Sequence, residues 1–373
     1  MKTTNSIKDV EAWLSSYVGR EFCCLTGRGT TAIYAILKAA AKGKGKKKVV
    51  FPAIIPPSLP NTALLAGYEP IFCDVSVKDF NMDINSLKEI VESEKNVSAI
   101  MPVHLYGYPA DMNKIRKVVS DYDLFVIEDF AQALGAEYEG AKCGSFGDAS
   151  ITSFGHTKIL ECGGGGAVLT DDAKLFELIR SELKRVPAYS EKIHRKEDLY
   201  RQVYYMLKPV MDLSDEMNML YFNVPEIFET IFRYGISEET AKKIANQKDN
   251  LEFYIQRRRE NAKIYQSILY HPNIIHPKYE QGNGVYWRYA FLLNTENVQE
   301  ITEKARLREI DVSNWYPPIH RWYQSGRRQD PKNFLKAEYV GKHIVNLWTL
   351  PSFSKEKIEY IAQTFLGVLE ENF

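Results

Sequence analysis

The chain carries no excess charge of either sign: 48 Lys and Arg stand against 48 Asp and Glu in 373 residues. A nucleic-acid or anionic-membrane surface needs a basic excess, so the totals give no support to such a partner. No apolar run approaches the roughly 20 residues that span a bilayer, and the start, Met1 to Val10, is polar and charged. A cytoplasmic protein is therefore expected. Cysteine is scarce. Cys23, Cys24, Cys73, Cys143 and Cys162 are odd in number and show no metal-type spacing. That pattern argues against a disulfide framework or a cysteine-held metal, and for small thiols in a reducing compartment. No internal repeat or low-complexity stretch is visible. The one glycine run, Gly163 to Gly166, does not form the Gly-x-Gly-x-x-Gly turn of a dinucleotide site between an early strand and helix.

What is present is ordinary globular composition, 45% hydrophobic and 26% charged. The length exceeds what a single core usually fills, so two domains sharing one cleft are expected. Short apolar runs alternate with helical patterns in the first half, the signature of an α/β domain with a largely parallel sheet. Strands are expected at Lys48–Phe51, Pro70–Cys73, Ala99–Val103, Leu124–Ile127, Ile151–Phe154 and Ala167–Thr170, with helices at Thr30–Ala41, Asn85–Ser93 and Met112–Asp121. The basic run Lys42 to Lys48 reads as a solvated loop between a helix and a strand. Val186 to Val224, rich in Tyr, Met and Arg, fits either an insertion shaping a pocket or an irregular helical excursion. Ser237-Glu238-Glu239 reads as a helix start leading to Leu269, and a strand near Tyr286 to Leu293 and a helix at Ser354 to Glu370 complete a smaller domain. The expected division is residues 1–236 as a large domain and 237–373 as a small α+β domain.

The chemistry concentrates in Val126-Ile127-Glu128-Asp129-Phe130-Ala131-Gln132 and in Ser153-Phe154-Gly155-His156-Thr157-Lys158, followed by the glycine run. Asp129 closes an apolar strand, and in open α/β sheets the carboxyl ends of strands line the ligand crevice. Lys158 lies in a small polar loop, and the glycines offer a place where a cofactor could approach the backbone. An aspartate and a lysine on one scaffold suit pyridoxal phosphate: the acid keeps the pyridine nitrogen protonated, and the amine forms a Schiff base with the aldehyde. Gly27-Arg28-Gly29-Thr30-Thr31 opens a helix, whose positive end suits a phosphate. Each signal is weak alone, and together they carry the assignment.

That combination resembles the DegT/DnrJ/EryC1/StrS family of pyridoxal-phosphate sugar aminotransferases, of the aspartate-aminotransferase fold type I. The likeness runs through Arg28-Gly29-Thr30-Thr31-Ala32-Ile33, Gly67-Tyr68-Glu69-Pro70-Ile71-Phe72-Cys73-Asp74-Val75, Pro102-Val103-His104-Leu105-Tyr106-Gly107 and Glu128 to Gln132. It continues through Gly144-Ser145-Phe146-Gly147-Asp148-Ala149, Arg257-Arg258-Arg259-Glu260-Asn261-Ala262 and Tyr316-Pro317-Pro318-Ile319-His320. The resemblance implies Lys158 as Schiff-base lysine, Asp129 as partner of the pyridine nitrogen and Gln132 as a ring contact. It makes Gly29, Thr30 and Ser153 phosphate ligands. It implies an amino donor such as glutamate, a keto-sugar acceptor that is nucleotide-linked, and a homodimer whose active sites the partner subunit completes. Tyr316, His104 and His320 are candidate substrate contacts, and His156 a loop neighbour.

Three departures stand out. Pro56 occupies the position of the family's ring-stacking residue, Gly164 replaces its glutamate, and its Gly-x-Asn-x-Arg segment, whose asparagine reaches the cofactor phosphate, is not recognisable, with Arg233 near that place as a candidate phosphate contact. Amination of an acceptor that is not a nucleotide sugar, sugar dehydration or deoxygenation, and a non-catalytic regulatory protein of the same fold remain the alternatives. Relatives that dehydrate sugars carry histidine in place of the lysine, which this chain keeps.

Overall fold

The computed structural model describes residues 6–40, 47–207, 229–279, 282–323 and 330–372. Most of the lysine-rich loop, 41–46, and the stretch 208–228 of the irregular region lie outside them.

The first half alternates as its sequence demands. Helix α1 (Ser6–Val18) leads to β1 (Phe22–Thr26), α2 (Gly29–Ala40), β2 (Lys48–Pro52), α3 (Ser58–Leu65), β3 (Glu69–Cys73), α4 (Ile84–Ser93) and β4 (Val97–Ile100). Then come α5 (Met112–Val119), β5 (Phe125–Asp129), the short β6 (Glu137–Tyr138) and β7 (Ala141–Lys142), β8 (Ala149–Ser153), β9 (Gly166–Thr170), α6 (Ala173–Leu183) and α7 (Glu191–Leu207). Seven strands form one sheet in the order β1-β9-β8-β5-β4-β2-β3. β3, β2, β4, β5 and β8 run parallel, while β9 is antiparallel to both of its neighbours. These strands are buried almost throughout, which is why they read as continuous apolar runs without alternation.

Helix α2 is buried along most of its length and packs against α3, α6, β8 and β9. A helix apolar nearly all round belongs inside, and this one is held with its first turn against the carboxyl end of β8. The caps Asp83, Asp111 and Asp172 each accept a backbone N–H in the first turn of the helix they precede.

Beyond α7 the expected single helix from Ser237 is two. Ser237 accepts the Thr240 N–H at 3.1 Å and caps the helix Glu238–Gln247; a 3₁₀ turn at Lys248–Asn250 then interrupts it before the helix Leu251–Ile268. Asp249 and Asn250, whose side chains compete for backbone groups, sit at the break. Leu251 and Ile255 of the second helix belong to the first core, and Ala262 and Tyr265 to a second one. That helix thus spans both cores, and later residues such as Val285, Ala290 and Ile344 return to the first. The second core is built on an antiparallel sheet of β10 (Ile274–Ile275), β12 (Arg288–Leu293), β14 (Ile344–Trp348) and β13 (Val312–Ser313), in that order, covered by helices Val298–Leu307 and Lys355–Glu370. The halves are stitched by β11 (Gly282–Asn283), which pairs with β6, Gly282 opposite Tyr138. That pairing brings the next residues, up to Trp287, over the carboxyl ends of β5 and β8. Among the described residues no helix is long and apolar enough to cross a membrane.

Candidate active site

Asp129 is the last residue of β5 and is paired with Ile151 of β8. Its N–H donates to the Pro102 carbonyl at 2.9 Å, its carbonyl accepts the His104 N–H at 3.0 Å, and its Oδ1 accepts the Ala131 N–H at 2.8 Å. The carboxylate is buried, and burial pushes its pKa up, against the opposing pull of the Lys158 ammonium and the Ala131 N–H.

Lys158 follows β8 in a loop closed by the Cys162 N–H on the Phe154 carbonyl at 2.8 Å. Ser153 Oγ accepts the Gly155 N–H at 3.2 Å, Thr157 takes a positive φ of 67°, and Glu161 receives both the Thr157 N–H and a His156 ring contact. Burial lowers the Lys158 pKa; the Asp129 carboxylate opposes this and the Arg28 guanidinium adds to it. A lysine with a depressed pKa keeps a usable fraction of neutral, nucleophilic amine.

Both side chains line one cavity of ≈ 200 Å³ together with Arg28, Gly29, Thr30, Pro56, Gln132, Ser153, Trp287 and Tyr316. The start of α2 forms one end. Its first N–H groups have no carbonyl one turn earlier within the helix to bond. Thr30 Oγ1, buried beside them, has no hydrogen-bond partner among the described residues, and a burial of that kind costs about 1–3 kcal/mol unless something is bound there. A Cβ on Gly29 would come within 3.2 Å of Ser153 Cβ, a tight contact, so glycine eases the close approach of the helix start to Ser153. Gln132, buried, accepts the Tyr106 N–H at 2.8 Å and donates to the Tyr316 hydroxyl at 3.1 Å, which fixes its amide.

These residues fit pyridoxal phosphate: an orphaned hydroxyl and free N–H groups for a phosphate, a buried carboxylate for a pyridinium, and a depressed amine for an aldehyde. A larger groove of ≈ 830 Å³ at the amino ends of β4 and β5 has no such set, and its charges already pair as Arg20–Asp171 and Arg116–Asp148.

Three expected contacts lie outside this cavity. His104 is fully buried: Nδ1 accepts the Ala110 N–H at 2.8 Å and Nε2 meets Glu128 Oε1 at 2.9 Å. Glu128 also accepts the N–H groups of Gly144, Phe146 and Gly147 at 2.6, 2.7 and 2.8 Å. Burial would raise the Glu128 pKa, but the His104 bond and those N–H groups hold it below the usual carboxylate value. Cys143 lies within 4.8 Å of both, yet the lone pairs a cation would need on His104 and Glu128 are taken, so this cluster is a structural brace. His320 is buried against Phe334 at 4.0 Å, beside Glu338 at 3.1 Å. Arg233 pairs with Glu229 and lies over the Tyr34 ring at 5.2 Å.

The glycine run also serves a different end from the one expected. None of Gly163 to Gly166 lines the cavity. A Cβ on Gly166 would stand 2.4 Å from the Arg28 carbonyl carbon and 2.5 Å from Gly29 N, so the run lets β9 approach the start of α2 and makes room for protein backbone, not for a ligand.

Two lining residues escaped the sequence reading. Trp287, buried, donates its indole N–H to the Thr157 carbonyl, and the Lys158 ammonium lies 5.9 Å from its ring centroid. Its position follows from the two-residue pairing of β11 with β6, too short to read locally. Arg28 was in view within the helix-start motif, and a cation beside an anion-type helix end was the available signal.

A seven-stranded sheet of this order, with an aspartate at the end of one strand and a lysine after its neighbour, defines a pyridoxal-phosphate-dependent transferase of fold type I. The chain belongs to the DegT/DnrJ/EryC1/StrS aminotransferase family, whose model matches residues 1–366. Its cofactor is accordingly pyridoxal phosphate. It is 26% identical over 350 residues to the GDP-perosamine synthase of Escherichia coli O157:H7, covering 92% of this chain and 85% of that protein. It is 27% identical over 363 residues to a dTDP-3-amino-3,6-dideoxy-α-D-galactopyranose transaminase from Aneurinibacillus thermoaerophilus, covering 96% and 88%. Among solved structures, Helicobacter pylori PseC, an aminotransferase of pseudoaminic acid biosynthesis, shares the fold with a TM-score of 0.80 at 20% identity, over 99% of this chain and 92% of that one.

Proposed function

We propose that this aminotransferase moves an amino group from an amino acid, glutamate being the expected donor, to the carbonyl of a nucleotide-linked keto sugar. The product would feed a polysaccharide, glycan or secondary metabolite. The observation that carries the reading is the gathering of Lys158, Asp129 and the α2 helix start in one cavity. The names of the GDP- and dTDP-sugar relatives support the acceptor class.

Bound pyridoxal phosphate supplies an electron sink for the charge left when a Cα–H bond breaks. In this assignment the Lys158 amine would hold the cofactor aldehyde and would serve as the base that takes up the Cα proton of the donor and gives a proton back. Asp129 holds the proton on the pyridine nitrogen; its burial strengthens that ion pair by excluding water. Gly29, Thr30 and Ser153 hold the phosphate, and Gln132 contacts the ring. Tyr316, its hydroxyl fixed by Gln132, faces the acceptor. On the family's habit the enzyme works as a homodimer in the cytoplasm, where its five cysteines, all free and buried, stay reduced.

The test is a screen of keto-sugar nucleotides with glutamate. Formation of 2-oxoglutarate with one of them is expected; bound cofactor without turnover on any acceptor would overturn the reading. Borohydride reduction and peptide mapping should label Lys158, and a label on another lysine would refute the site.

A further inference from the structure

The cradle of Gly29, Thr30 and Ser153 is neutral, whereas a phosphate monoester carries about −1.5 to −2 charges at neutral pH. Among the described residues lining the cavity, the lasting cations are Lys158 and Arg28. Lys158 is committed to the aldehyde in the reading above, on which this inference rests. That leaves Arg28, the residue immediately before the first turn of α2.

In the present state Arg28 is held from the other side. Its Nη1 donates to Glu197 Oε1 at 2.8 Å and to the Ile231 carbonyl at 3.2 Å, while the same Glu197 oxygen accepts the Tyr234 hydroxyl at 2.9 Å. Nε and Nη2 have no hydrogen-bond partner among the described residues, and the side chain is 36% exposed. Among the described residues half the guanidinium fork is thus uncommitted, and Arg28 lines the same cavity as the cradle. Thr30, 7% exposed and with an Oγ1 that has no partner among the described residues, marks the same end as shaped for a ligand. Arg233, the arginine the sequence pointed to, is turned toward Glu229 and Tyr34.

The geometry points to Arg28 as the cationic ligand of the cofactor phosphate, drawing its guanidinium from Glu197 of α7 when the phosphate is bound. Planar, two-pronged donation to phosphate is what arginine does better than lysine or serine. A consequence is that the cofactor's phosphate and the position of α7 are coupled through one carboxylate. The charge on Arg28 also lies close enough to depress Lys158, a depression that a bound phosphate would relieve.

The experiment compares pyridoxal phosphate with pyridoxal, which carries the aldehyde and no phosphate, by titrating the visible chromophore on the full chain. Arg28→Gln should weaken pyridoxal phosphate by about tenfold or more and leave pyridoxal within about twofold. Arg28→Lys should recover part of the loss, and Glu197→Gln, which removes the competing carboxylate, should tighten the phosphorylated ligand only. Melting curves of each apoprotein check folding, and the lysine and Glu197 variants keep the question open to test should Arg28→Gln not fold. Equal losses for both ligands, no loss for either, or weaker binding in Glu197→Gln would overturn the role of Arg28. If the wild-type chain forms the chromophore with neither compound, the site assignment itself falls.

Discussion

The indole N–H of Trp287 donates to the carbonyl of Thr157, the residue just before Lys158, so a side chain from the C-terminal half fixes the lysine loop of the N-terminal half. The Trp287 carbonyl is in turn held by the buried Arg258 at 3.0 Å, and its ring lies parallel to Tyr316, 6.3 Å away. Trp287→Phe keeps the apolar wall and deletes the donor, a loss of about 1 kcal/mol. Trp287→Ala removes wall and donor together, for about 3–5 kcal/mol. We expect the phenylalanine variant to fold normally and to show a several-fold slower chromophore formation with Lys158. An unchanged rate in Trp287→Phe would show that the bond does not position the loop.

The glycine run divides into positions that must be glycine and positions that need not. Gly166→Ala drives a Cβ into the Arg28 and Gly29 backbone, neither of which can rotate away, and should cost about 1–3 kcal/mol. Gly164 has only Thr240 Cγ2 near a new Cβ, at 3.9 Å, and Gly164→Ala should lie within about 0.5 kcal/mol of wild type. Since Gly29 belongs to the proposed cradle, Gly166→Ala should also weaken cofactor binding. Chemical denaturation with and without cofactor checks both; equal behaviour of the two variants would contradict the packing argument.

Much of this arrangement could be read before the fold. β2, β3, β4, β5, β8 and β9 all appear within a few residues of their expected places, because strands buried on both faces read as plain apolar runs. Asp129 and Lys158 were legible since a strand end and the loop after the neighbouring strand fix them locally. β1 was missed: Phe22–Thr26 is only five residues long, and its place comes from pairing with β9 far along the chain. His104 looked like a candidate contact because an isolated histidine says nothing about which face of the sheet it points to. Tertiary pairing decides that, and it delivers His104 to Glu128. Trp287 was hidden for the same reason.

The His104–Glu128 brace should matter for folding and not for chemistry. Glu128→Ala strips the acceptor from the backbone N–H groups of Gly144, Phe146 and Gly147 and from the His104 ring, and should cost about 3–5 kcal/mol. Glu128→Ala and His104→Ala should lower yield and melting temperature, yet the folded fraction should keep its KM for the acceptor. A selective rise in that KM with stability intact would return His104 to the substrate site.

Asp129 sets function against stability, and the sign can be worked out. Its folded pKa lies above the ordinary 3.8, with burial the leading cause. A raised carboxyl pKa means that the folded state prefers the protonated form; this preference is fully present below the ordinary value and is lost as pH rises through the raised one. Wherever the group is ionised, above that raised pKa, it therefore destabilises the apoprotein. Asp129→Asn, neutral at every pH, should melt higher than wild type at pH 7, and the gap should close on acidification. Cofactor reverses the order. The carboxylate that burdens the empty site is the partner of the pyridinium, so wild type should gain more melting temperature from saturating pyridoxal phosphate than the variant, in line with its tighter binding. Turnover in Asp129→Asn should fall by about 10²-fold or more, since a carboxamide cannot hold the ring nitrogen protonated. Melting curves at pH 5 and 7, with and without cofactor, read out all four corners. An apoprotein variant less stable than wild type at pH 7 would mean that burial is not what governs this carboxylate.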